Sequence, residues 1–144
     1  MKRAVVTGAS SGIGKELCLR LLKLGYKVTG LSRNITNKDI DNKNFTPMKV
    51  DLCDEKALLL VCEELKNKDT HILINCAGFG RFEPHEELDF KTITKMVFLN
   101  LTAPLLLTNA LLRELKKNDG YLININSIEA LKSSKFAGVY SATK

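Results

Sequence analysis

Thr7-Gly8-Ala9-Ser10-Ser11-Gly12-Ile13-Gly14 is the stretch that decides the fold. The apolar run Ala4-Val5-Val6 leads into it, and Ile13, Leu17, Leu21 and Leu24 leave it at helical spacing up to Gly25. Strand, glycine-rich turn and helix start therefore follow one another directly. Gly8 permits a tight turn, Gly12 lets the backbone approach a pyrophosphate, and Gly14 lets helix pack closely on strand. The helix N-terminus offers free N–H groups and partial positive charge to an anion. Three glycines alone are a weak signal, because turns without a ligand use them too. The strand before and the helix after make this spacing specific.

Outward from this turn, short apolar runs alternate with longer periodic segments. Tyr26–Leu31, Met48–Val50, His71–Ile74 and Tyr121–Ile125 read as further strands. Asn34–Asn44 is polar and turn-rich and reads as a loop with a short helix. Asp54 stands where it can cap a helix carrying Leu58, Val61, Cys62 and Leu65. A long helical stretch runs from about Phe90 to Lys117, broken by Gly120, and Pro104 predicts a kink near Asn100. Between Val97 and Leu112 it is apolar almost all round, which points to burial in the domain or, as the favoured reading, against a partner subunit. Strands alternating with helices predict a single α/β domain over residues 1–144, a Rossmann-like doubly wound parallel sheet with right-handed crossovers.

The totals agree. The chain has 144 residues, of which 44% are hydrophobic and 26% charged, and this composition excludes a disordered tail or a fibrous repeat. A net charge of +6 suits an anionic ligand, solubility or nucleic acid. The basic residues are scattered, with only doublets such as Lys2-Arg3 and Lys116-Lys117, so no nucleic-acid partner is expected. Cys18, Cys53, Cys62 and Cys76 form no Cys-x-x-Cys pair and have no histidine at ligand spacing. They are expected to be small buried thiols of a reducing compartment, with no metal site. The apolar run at the N-terminus is too short for a signal-peptide core, and no stretch approaches 18 uninterrupted apolar residues. Those readings predict no membrane contact and a cytoplasmic location.

The segment TGASSGIG resembles the cofactor loop of the short-chain dehydrogenases/reductases. Further motifs of that family follow in order. Asp51-Leu52 resembles its adenine-binding position, although an aspartate there equally suits helix capping. Asn75-Cys76-Ala77-Gly78 is similar to its Asn-Asn-Ala-Gly motif, with Cys76 departing at the second position. Asn100, Ser127, Tyr140 and Lys144 resemble its catalytic tetrad, the last two within Tyr-Ser-Ala-Thr-Lys. The resemblance implies an NAD(P)-dependent oxidoreductase acting on a small carbonyl or alcohol. It implies cofactor contacts from Gly8, Ser10, Ser11, Gly12, Ile13, Gly14, Arg33, Asp51, Leu52, Asn75, Ala77, Gly78, Tyr140 and Lys144. Members of the family continue well beyond the position of Lys144, so the sheet is expected to be incomplete on its C-terminal side. The chain then reads as the N-terminal part of a longer enzyme, with a non-catalytic nucleotide-binding or interaction module as the alternative.

The residue types suit this chemistry. Where an NAD-preferring domain places an acid at the end of its second strand, this chain reads Leu31-Ser32-Arg33-Asn34. A guanidinium there can fork onto a 2′-phosphate, and Lys15 adds charge, so NADP(H) is preferred over NAD(H); the alternative is that Arg33 is a solvated loop residue. A phenol is a poor acid at neutral pH, ordinarily titrating near pH 10. An ammonium four residues along a helix shares its face. At about 4 Å and an effective dielectric near 20, it is worth roughly 4 kcal/mol, enough to bring Tyr140 toward working pH. By the same resemblance, Ser127 hydrogen-bonds the carbonyl oxygen and Asn100 holds a water linking Lys144 to solvent.

Overall fold

The computed structural model describes residues 1–144. Its strands are β1 (Arg3–Thr7), β2 (Lys27–Ser32), β3 (Phe45–Lys49), β4 (Thr70–Asn75) and β5 (Tyr121–Asn124). They form one five-stranded sheet in the order β3-β2-β1-β4-β5, with every pair parallel. Helices α1 (Gly12–Lys23), α2 (Glu55–Leu65), α3 (Phe90–Val97), α4 (Ala103–Lys117) and α5 (Gly138–Thr143) connect and flank them.

Side chains alternate across a strand, so each strand of a covered sheet feeds two cores. Val5, Leu31 and Leu73 face one side, where they meet Leu58 and Val61 of α2 and Leu107 and Leu111 of α4. Ala4, Val6, Ile72 and Ile74 face the other, against Cys18, Leu21 and Leu22 of α1. This is the doubly wound parallel sheet that the alternation of strands and helices predicts.

Several local features differ from the sequence-based expectation. Residues 34–44 hold no helix; Thr36 instead donates its N–H and its hydroxyl to the Asp39 carboxylate, at 2.7 and 2.8 Å. Such local bonds offer the backbone an alternative to a helical ladder. Strand β3 begins at Phe45 rather than Met48, and it accommodates Pro47 because it lies at the sheet edge. Cys53 and Cys76 are half-buried rather than buried.

The long helix is not one rod. Between α3 and α4 the segment Phe98–Thr102 is a π-helix, and Pro104 lies in the first turn of α4. Pro104 has no N–H to give, and the wider i→i+5 turn absorbs the missing bond. Nor is this helix buried all round. Ala103, Leu107, Leu111 and Leu115 enter the core, whereas Val97, Leu101, Leu105 and Leu112 are exposed on another face. The combined span Phe90–Lys117 is long and apolar enough, by length and composition, to cross a membrane. A search for unbroken apolar runs passes over it; in the fold its core face packs against β4 and α2.

Candidate active site

Strand β1 has β2 on one side and β4 on the other, so the direction of winding reverses beside it. Ligand crevices in such sheets open there, beyond the C-terminal ends of the strands. The chain leaving β1 is tightly constrained. Gly8 has φ of +69° and no room for a side chain, since a Cβ would lie 3.1 Å from the Ala77 backbone. A Cβ on Gly14 would stand 2.3 Å from the Gly8 carbonyl oxygen. Thr7 binds the two strand ends together, its Oγ1 accepting from the N–H groups of both Cys76 and Ala77 at 2.9 Å. From the sequence, Thr7 reads only as a flank of the glycine motif.

The start of α1 is shaped for an anion. Asp54 caps α2 and Asp89 caps α3, each accepting from a backbone N–H of the first turn. Ser11 at the start of α1 makes no such bond, and no acidic residue lies in that first turn. Its orphan amides are therefore left for a ligand. In front of them the space is open, since a Cβ on Gly12 would meet nothing within 4 Å. The residues present fit a dinucleotide pyrophosphate.

One cavity is lined by Gly8, Ser10, Ser11, Arg33, Asp51, Leu52, Ala77 and Gly78, and also by Lys95 and Leu99. Arg33 is exposed and makes no ion pair or hydrogen bond within the chain. No carboxylate stands at the end of β2; Ser32 and Ser10 share a hydroxyl hydrogen bond of 2.8 Å there. Asp51 Oδ1 accepts from Cys53 N at 2.9 Å and closes a turn. The side chain of Leu52 is in the core, so only its backbone faces the cavity as a polar group. Burial raises the Cys53 thiol pKa, with Asp51 adding to the shift and Lys95 and Arg33 opposing it. Lys95 carries no family motif and escaped sequence reasoning; its Nζ lies 4.7 Å from the Phe79 ring centroid.

A second cavity shares Gly8, Ser11, Ala77, Gly78 and Phe79 with the first and continues past Ile13 and Gly14 to Tyr140 and Lys144. The two are halves of one cleft. Lys144 Nζ donates to Ile125 O at 2.7 Å, and no hydrogen bond joins it to the Tyr140 phenol. Cys76 lines this half; burial raises its thiol pKa and the Lys144 ammonium opposes the shift.

Three sequence-derived residues bond to partners within the chain. Asn100 spends both amide hydrogens on protein groups, donating to Phe79 O at 2.8 Å and Thr143 Oγ1 at 2.9 Å, while its Oδ1 accepts from Phe79 N at 2.9 Å. Its amide hydrogens are thus not free for a water. Ser127 Oγ accepts from Glu129 N at 3.3 Å, capping the short turn Ile128–Ala130, and makes no bond to Tyr140. Asn75 lines neither half of the cleft and donates from Nδ2 to Asn124 Oδ1 at 2.9 Å across β4 and β5. It braces the sheet.

The family model described as short chain dehydrogenase matches residues 2–144. A probable short-chain type dehydrogenase/reductase of Helicobacter pylori is 39% identical over 98% of this chain and 54% of its own length. A probable NADP-dependent dehydrogenase of Haemophilus influenzae is 30% identical over 98% of this chain and 59% of its own. The bulky-bulky ketone specific alcohol dehydrogenase from Comamonas testosteroni superposes with a TM-score of 0.91 at 27% identity, covering 100% of this chain and 62% of that one. The chain thus spans little more than half the length of these relatives.

Thr7→Val keeps the shape of the side chain and leaves two N–H groups without their acceptor. Unfolding in denaturant is expected to show a loss of about 2 kcal/mol; an unchanged midpoint and slope would remove Thr7 as the link between β1 and β4.

Proposed function

The chain belongs to the short-chain dehydrogenase family, and we propose that it forms the cofactor-binding and catalytic part of an NADP(H)-dependent oxidoreductase acting on a carbonyl or alcohol. The observation that carries this reading is the shared cleft: Tyr140 and Lys144 line the same cavity as the glycine loop and the uncapped start of α1. A bound nicotinamide cofactor supplies the hydride in reduction and takes it up in oxidation.

The chain's own residues do the rest. The amides of the α1 start and the loop Gly8–Gly14 hold the pyrophosphate. Arg33, free of any partner in the chain, takes the 2′-phosphate, and the likeness to an NADP-dependent relative supports that choice. Asp51 faces the adenine with the oxygen not used by Cys53. Tyr140 gives a proton to the carbonyl oxygen in reduction and takes it back in oxidation. Lys144, held by the Ile125 carbonyl, keeps a positive charge in the same half of the cleft. Ser127 still has its hydroxyl proton, because its bond to Glu129 uses only a lone pair, and donates it to the substrate oxygen. The exposed stripe Val97, Leu101, Leu105 and Leu112 supports self-association into a homo-oligomer.

Equilibrium titrations with NADPH and NADH, followed by nicotinamide fluorescence, test the cofactor reading directly. The wild-type protein is expected to bind NADPH more tightly, and Arg33→Asp to cut the NADPH-over-NADH ratio by about tenfold or more; an unaltered ratio would take Arg33 out of the cofactor site. In the full-length protein, Tyr140→Phe is expected to lower turnover by about a hundredfold or more while cofactor affinity stays the same. Normal turnover in that variant would sink the acid–base assignment. Leu101→Ser combined with Leu105→Ser is expected to shift sedimentation toward the monomer, and an unchanged profile would count against the stripe as an interface.

A further inference from the structure

The loop after β4 carries Phe79-Gly80-Arg81-Phe82 toward α5. The Phe82 ring lies 5.3 Å from the Tyr140 ring, centroid to centroid, with the planes tilted by 58°. Aromatic rings attract at this separation and tilt. Gly80 sits against both rings. A Cβ there would lie 3.0 Å from Tyr140 Cδ2 and 3.2 Å from Phe82 Cε2, so even a methyl group would press the pair apart. Gly80 does not have a positive φ; what it supplies is space.

The backbone of this loop is anchored at one residue. Asn100 grips both the N–H and the carbonyl of Phe79, and its remaining amide hydrogen goes to Thr143 Oγ1. Thr143 in turn donates to the Tyr140 carbonyl at 2.8 Å. Tyr140, Phe82, the Phe79-Gly80 backbone, Asn100 and Thr143 therefore close a ring of contacts. Helix α5 has six residues, too few to hold a side chain rigid by its own ladder. Phe82 is 53% exposed beside the phenol, and its neighbours Arg81 and Glu83 neutralise each other.

We propose that Phe82, seated against Gly80, is a positioning residue for Tyr140, and that its open face is the apolar wall of the substrate site. That wall admits carbonyl compounds with an apolar or aromatic substituent in preference to polyhydroxylated ones, whose hydroxyls would lose water against the ring. The inference rests on the oxidoreductase reading for its substrate half only; the ring contact stands independently of it.

The test uses the full-length protein with 3-fluorotyrosine incorporated and read by fluorine NMR. This chain has three tyrosines, and Tyr140→Phe assigns the resonance of interest. Phe82→Leu and Gly80→Ala are expected to shift the Tyr140 resonance, and the Tyr26 and Tyr121 resonances to stay put as a check on folding. With NADPH in excess, Phe82→Leu is expected to lower kcat by about threefold to tenfold and to raise KM for an aryl ketone more than for a keto sugar. A Tyr140 resonance unmoved in both variants would overturn the positioning role. Equal changes in KM for the two substrates would overturn the apolar wall. Absence of turnover in the wild-type protein, with the resonance still moving, would sink the oxidoreductase reading and the wall together and leave the ring contact supported.

Discussion

Between the Gly8 carbonyl and Gly14 there is no room for a methyl group, and a Cβ there would come to 2.3 Å. That closeness lets α1 start directly over the end of β1. The first turn, which no side chain caps, then begins where the winding reverses beside β1. Any side chain at Gly14 would lift the helix start away from the turn. Thr7 fastens the same point from the other direction by holding Cys76 and Ala77. The floor of the cleft is therefore set by backbone spacing and two hydrogen bonds, and the chemistry is arranged around it.

Asn100 plays a comparable part on the far wall. It belongs to the π-helical segment ahead of Pro104, and the changed winding accompanies an amide turned toward Phe79 and Thr143. A residue within the long helical span thereby reaches the loop after β4 and the short helix that bears Tyr140. One side chain, 8% exposed, braces two walls. An asparagine suits this place because a single amide both accepts and donates twice, and a backbone N–H and C=O of one residue can be satisfied together.

Much of this was legible in the sequence, for identifiable reasons. The strands beside Gly8 and Gly78 announce themselves because buried parallel strands are short and wholly apolar, and turns betray their glycines. Tyr140 and Lys144 are legible as a pair because four residues make about one helical turn. Thr7, Gly80, Lys95 and Thr143 were not. Their roles are contacts between segments distant in the chain, and no local period records them. The π turn was half legible: Pro104 announced an interruption, but not whether the helix would break, bend or widen. The polar stretch Asn34–Asn44 misled because Thr36 and Asp39 satisfy each other and leave a helix nothing to gain. Ser127 and Asn75 were legible in position and not in partner, since a motif fixes order along the chain and not which neighbour a hydroxyl or amide finds.

The central strand takes one neighbour from nearby in the chain and the other from far away. Thr7 and Cys76, joined across that second boundary, are 69 residues apart in sequence. Long-range parallel pairing is slow, because the loop must close before its contacts reward it. Strands β1, β2 and β3 with α1 can meet as soon as they leave the ribosome, whereas the crevice has no second wall until Ala77 and Gly78 emerge. The cleft is thus a late product of assembly, and a ligand binding there would select chains whose two halves have already docked.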